Sequence, residues 1–145
     1  MKRPREINIV IGIGIFAVTV LTLYWITWFT APELIQSRTP EAPDYQVYVN
    51  FEQAFPLADS YLAIAALIGV IGLWRMKSWG FLSMMLMAGG VIFLGLMDLL
   101  YDIQHSMFVP LNAETTIELI IVILTLSLGP IMAALLWRRK KDFME

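Results

Sequence analysis

Residues 7–31, INIVIGIGIFAVTVLTLYWITWFTA, form a continuous apolar stretch without a charged side chain. Its length exceeds the roughly 20 residues that cross a ~30 Å hydrocarbon core. Three further apolar stretches follow, at about residues 57–74, 79–101 and 117–137. A helix of a soluble bundle would carry a charged face opposite its apolar stripe, and the first stretch has none. The sequence therefore predicts an all-α protein, an integral membrane antiparallel four-helix bundle.

Composition agrees with a single membrane domain. The chain has 145 residues and is 59% hydrophobic, against roughly 45–50% in soluble proteins. We therefore expect one four-span transmembrane domain over residues 1–145. The absence of cysteine excludes disulfides and thiolate catalysis, and a single histidine excludes bis-histidine haem. Nothing in the charge pattern indicates nucleic-acid binding.

Lysine and arginine are sorted by the end of the spans at which they lie. Only Arg38 lies in the loops after spans 1 and 3. The other nine precede span 1, separate spans 2 and 3, or follow span 4: Lys2, Arg3, Arg5, Arg75, Lys77, Arg138, Arg139, Lys140 and Lys141. Basic residues near span ends are retained in the cytoplasm. The sequence thus predicts a multi-pass protein of the cytoplasmic (inner) membrane, with the lipid bilayer as its partner and an N-in/C-in topology.

Acidic residues mark the opposite ends of spans 2, 3 and 4. The uncharged part of span 2, Ser60–Trp74, measures only about 22 Å at 1.5 Å per residue. To cross the bilayer this span must begin near Pro56, which places Asp59 inside the outer edge of the membrane. Asp98 and Glu118 are expected at the boundary itself.

Asp98, Asp102 and His105 follow one another at helical spacing, on one face if the helix continues past Tyr101. Two oxygens and one nitrogen could bind a divalent cation, completed by Asp59 or Glu118 from neighbouring spans. The same carboxyls could instead transfer protons. The predicted ligand-binding residues are Asp59, Asp98, Asp102, His105 and Glu118, and the predicted metal ligands are Asp98, Asp102 and His105. A divalent cation is the only cofactor that the sequence indicates.

A position at a helix end explains Asp59 and Glu118 but not Asp98 and Asp102. Asp59 and Glu118 fall near helix N-termini, where the dipole stabilises a negative charge by about 0.3–1 kcal/mol. Asp98 and Asp102 fall near a helix C-terminus, where the dipole disfavours anions, and they repel each other. Their charge must be offset by His105 as imidazolium, by a bound cation, by protonation or by solvent.

Two short segments resemble known proteins. Residues 55–59, FPLAD, and 97–102, MDLLYD, resemble segments of small prokaryotic four-span proteins of unknown function, a resemblance that implies no activity. Small multidrug exporters also have four short spans, but their membrane acid lies in span 1, which here contains none.

Three hypotheses of function follow. The first is a small polytopic membrane protein with an acidic pocket at its outer surface that binds a cation or a small amphipathic amine. The second is an intramembrane acid–base enzyme acting on a lipid-like substrate, with Asp98 or Asp102 transferring the proton. The third is a structural or assembly subunit of a membrane complex. Whether the chain is an enzyme, and whether it forms a homo-oligomer, stay open at this point.

Overall fold

The computed structural model describes residues 3–109 and 113–144. Every regular element in these residues is helical: α1 (Arg5–Thr30), α2 (Tyr45–Glu52), α3 (Pro56–Trp74), α4 (Ser78–Gln104) and α5 (Ala113–Arg138), with 3-10 turns at Pro32–Leu34 and Lys140–Phe143. The all-α class and the positions of the four long helices are confirmed. Within the described residues, four helical segments are long and apolar enough to cross a membrane.

The four long helices run antiparallel. A tight turn after Trp74, with Met76 at φ 52°, reverses the chain between α3 and α4. Gly72 and Gly80 then face each other so closely that a Cβ on either would overlap the backbone of the other helix. The Ser83 hydroxyl donates to the Ala65 carbonyl at 2.7 Å. Small residues therefore allow close helix contact here, as in other bundles of apolar helices.

The helices form a closed ring in the order α1, α3, α4, α5. Gly14 of α1 packs against Val70 of α3, and Gly95 of α4 packs against Thr125 of α5. Contact between α1 and α5 closes the ring but is the least extensive of the four. The α1–α5 seam is thus the loosest side of the bundle.

The end that carries Arg5, Trp74, Ser78 and Arg138, here called the terminal end, holds the main apolar core. The buried side chains of Ile7, Met84, Met132 and Leu136 meet there. Arg139 donates to Glu6 at 2.7 Å, and Phe143 packs on Phe81. Side chains therefore fill this end, and contacts made by the N-terminal and C-terminal segments of the chain stabilise it.

The opposite end, here called the acidic end, is covered by the chain between α1 and α3. Within this segment, residues 45–52 form α2. Four buried side chains form a second apolar cluster at this end: Trp28, Tyr48, Tyr101 and Met107. The loop from α4 to α5 includes residues 110–112, which lie outside the described residues.

Large apolar side chains cover the outward face of the bundle. Leu23, Ile64, Phe93 and Ile123 are each more than half exposed, although soluble monomers rarely expose contiguous apolar surface of this extent. Together with the helix lengths, this surface indicates a membrane helical bundle.

Candidate functional site

A cavity of about 170 Å³ lies between the four long helices at the acidic end. Apolar side chains form most of its wall, including Phe16, Val20, Met87, Leu94 and Leu128. Its polar side chains are one phenol, one aliphatic hydroxyl and four carboxyls: Tyr24, Thr125, Glu52, Asp59, Asp98 and Glu118. We call this space the central cavity. It combines an apolar chamber with an acidic rim.

The structure brings three of the five predicted ligand-binding residues together. Asp59 of α3, Asp98 of α4 and Glu118 of α5 all line the central cavity. Asp102 and His105 are not among its lining residues. Because α4 does continue past Tyr101, to Gln104, these two residues lie on turns beyond the cavity.

Asp102 and His105 pack beneath the segment that connects α1 to α3. Asp102 is only 3% exposed, and its Oδ2 has no hydrogen-bond partner in the described structure. The His105 ring stacks on Tyr101 with 4.0 Å between centroids, and its Nδ1 lies 2.9 Å from the Tyr101 carbonyl oxygen. The imidazole is thus engaged with its own helix.

The predicted metal site lacks geometric support. Within residues 3–109 and 113–144, no group of three or more His, Asp or Glu side chains is arranged to hold a metal ion. The site of Asp98, Asp102 and His105 therefore stays a prediction. The cavity acids make a different grouping, in which His105 takes no part.

The helix-dipole explanation holds for one acid and is wrong for another. Asp59 lies in the first turn of α3, where the dipole favours its charge. Helix α5 begins at Ala113, earlier than expected, so Glu118 lies in the second turn. The dipole effect falls off within the first turn, and it therefore contributes little to Glu118.

Sequence reasoning missed Glu52 and Tyr24. The Tyr24 hydroxyl donates to Glu52 Oε2 at 2.8 Å, across the cavity rim. Helical spacing of Tyr45, Tyr48 and Glu52 was a usable signal for α2. It could not show that this helix folds over the bundle with Glu52 towards the cavity.

Neutral donors hold three of the four cavity carboxyls. Tyr24 donates to Glu52, the Trp25 indole donates to Asp59 Oδ2 at 2.9 Å, and the buried Ser37 hydroxyl donates to Glu118. Hydroxyl and indole groups fix the orientation of a carboxyl without cancelling its charge. These bonds position the acids and leave their charge uncompensated.

The cavity carboxyls lie within electrostatic range of one another. Glu118 acts on both Glu52 and Asp98, and no lysine or arginine is among the described lining residues. Like charges that act on one another disfavour ionisation of the whole group. A bound cation or protonation of part of the group would lower the electrostatic free energy of the site.

Arg38 compensates the acidic end outside the cavity. Its Nη2 donates to the His105 carbonyl at 3.1 Å and its Nε to Asp44 Oδ2 at 3.1 Å. A guanidinium at the C-terminus of α4 offsets the negative end of the helix dipole, and Asp102 also lies within its electrostatic range. Arg38 therefore supplies part of the positive charge that offsets Asp102. It does not offset the charge of the acids in the central cavity.

Comparison with known proteins finds no matching family model, no matching curated protein and no matching solved structure. The fold and the cavity alone define the class: a four-helix bundle with helices of membrane-spanning length around an acidic cavity.

Proposed function

We propose that this chain is a multi-pass membrane protein whose central cavity binds a small amphipathic ammonium compound. One observation carries the proposal: four carboxyls share one end of an otherwise apolar cavity, with no lysine or arginine among its described lining residues. Carboxylates recognise an ammonium group by charge-assisted hydrogen bonds. The alkyl and aromatic wall accepts the apolar part of the same molecule.

The cavity volume limits the size of the ligand. At about 170 Å³, it slightly exceeds an engineered cavity of about 150 Å³ that accepts benzene. One aromatic ring or a short alkyl chain with a primary ammonium fits this space. A bare divalent cation prefers a shell of six to eight oxygens and would leave the apolar wall unused. An organic ammonium therefore suits the cavity better than a metal ion does.

The orientation that we propose is N-in/C-in in the cytoplasmic membrane. All lysines and arginines of the described chain except Arg38 lie at the terminal end; Lys2 lies outside the described residues. Trp74, Trp79 and Trp137 accompany them, and Trp25 and Trp28 mark the acidic end, as expected of interfacial aromatic belts. The central cavity would then lie near the outer face of the membrane.

Three ligands of equal shape and different charge test the proposal. Phenethylamine is cationic at neutral pH, 2-phenylethanol is neutral and phenylacetate is anionic. We expect only the amine to raise the thermal unfolding temperature of the protein in nanodiscs, because binding to the folded state alone stabilises it. Asp98→Asn should remove the shift, whereas Asp142→Asn, which changes an exposed acid at the terminal end, should retain it.

The same experiment separates the alternatives. Equal shifts with the amine and the alcohol would show that the acids do not recognise charge. If no ligand changes the unfolding temperature and native mass spectrometry finds a lipid retained by wild type and lost in Asp98→Asn, the enzyme hypothesis replaces ours. If neither is found, the structural-subunit hypothesis replaces it.

A further inference from the structure

A second cavity, of about 450 Å³, lies between α1 and α3 at the acidic end. Two of its lining side chains, Ile26 and Phe29, are 55% and 68% exposed. It therefore opens towards the surroundings of the bundle, which are lipid under the proposed function. We call it the α1/α3 groove.

Asp59 lines both the α1/α3 groove and the central cavity. Leu21 is the other residue common to the two linings. The two spaces are thus neighbours across α1 and α3, with a single carboxyl presented to both.

Two consecutive residues of α1 line different spaces. Tyr24 lines the central cavity and donates to Glu52. Trp25 lines the α1/α3 groove and donates to Asp59. The indole engages one oxygen of a carboxylate that can accept on both, so Asp59 has capacity for a second donor.

The groove has the chemistry of a site for an organic cation. Asp59 is the charged group of its described lining, and Trp25 and Phe29 line the same groove. Aromatic faces attract cations, most strongly away from water. Thr22, Ser60 and Ala63 complete a wall that carries no positive charge.

We propose that the α1/α3 groove is a second binding site for a primary ammonium with an apolar tail, and that Asp59 passes this ammonium into the central cavity. This inference rests on the proposed function. The occupant is a free amine, not a phospholipid headgroup, because the same molecule must continue into a cavity of about 170 Å³. A two-chain lipid exceeds that volume.

Filling the groove without altering the central cavity tests this route. Ala63 and Thr22 line the groove only, on opposite walls. Ala63→Phe is matched by Ile64→Phe, and Thr22→Phe by Leu23→Phe, since Ile64 and Leu23 are exposed and line neither space. Thr22 is itself exposed, so its variant should fold even if Ala63→Phe does not.

The measurements are rapid filtration of radiolabelled phenethylammonium for the association and dissociation rates, and equilibrium titration calorimetry for the affinity, with protein in phosphatidylglycerol nanodiscs. With the groove filled, association and dissociation rates should both fall several-fold, while the equilibrium affinity of the central cavity stays within about twofold of wild type. The matched controls should keep wild-type rates.

The possible failures are distinguishable. Groove variants with the rates of their controls would overturn the route through the groove while leaving ammonium binding in place. A wild-type protein that binds no amine would overturn the proposed function and this inference together.

Discussion

The Tyr24 phenol donates a 2.8 Å hydrogen bond to Glu52, joining α1 to α2 across 28 residues of the chain. Both side chains line the central cavity. The bond holds α2 over the bundle and orients Glu52 without neutralising it. The same contact therefore fixes both α2, which covers the cavity, and Glu52, which is one of the cavity acids.

Tyr24→Phe removes this donor and keeps the ring. A buried charged group that loses its partner costs about 1–3 kcal/mol or more, so we expect the free energy of unfolding to fall by about that amount. Ammonium binding should persist, because Glu52 keeps its carboxylate. Tyr61→Phe is the control, since Tyr61 is 53% exposed. Denaturation in detergent that shows equal stability for the two variants would contradict this role of the bond.

Glu52→Gln tests whether the missed acid belongs to the site. Hydrogen bonds to charged groups contribute about 1.5–3 kcal/mol, which corresponds to a loss of about tenfold or more in phenethylammonium affinity. Glu41→Gln, in the exposed part of the same loop, should bind as wild type does. Equilibrium titration measures both. Unchanged affinity in Glu52→Gln would remove Glu52 from the binding site.

Two glycines of α4 should respond in opposite ways to alanine. Gly80 touches the backbone of Gly72, so Gly80→Ala must separate α3 from α4. Overpacking of this kind costs about 1–3 kcal/mol. Nothing lies within 4 Å of a Cβ placed on Gly89, so Gly89→Ala should be neutral or stabilise by up to about 1 kcal/mol. Similar unfolding free energies for the two variants would contradict the close α3–α4 contact.

Arg38→Gln should weaken the acidic end without touching the site. The substitution removes the positive charge at the C-terminus of α4 and beside Asp44. We expect a loss of about 0.5–2 kcal/mol in unfolding free energy and an unchanged ammonium affinity. Arg75→Gln, at an exposed position of the terminal end, is the control. A large loss of binding in Arg38→Gln would place the arginine in the site.

The fold could be predicted because its determinants are local. Uninterrupted apolar residues fix the length of each helix, and the short α3–α4 turn requires antiparallel neighbours. The three acids Asp59, Asp98 and Glu118 could be placed at one end of the bundle from the rise per residue alone. Membrane insertion and orientation stay predictions.

The composition of the site depended on tertiary packing, which spacing does not encode. Helical periodicity places Asp98 and Asp102 on nearly one face, but it cannot show where the cavity ends. In the structure the Phe51 ring stacks on Tyr101 at 3.8 Å, so α2 packs over the last turns of α4. Ser37 and Glu52 lie close to Asp98 and Glu118 only because the segment between α1 and α3 folds over the bundle. No periodic pattern in the sequence indicates the path of that segment.

The most direct test of the central claim is a crystal structure with bound 4-bromophenethylammonium, in which anomalous scattering locates the bromine. We expect the bromine among the side chains of Met87, Leu94 and Leu128, and the nitrogen about 3 Å from a carboxylate oxygen of one of the four cavity acids, Glu52, Asp59, Asp98 or Glu118. Bromine found only on the outer surface of the bundle, or a ring in the cavity with its nitrogen directed away from these acids, would contradict the account.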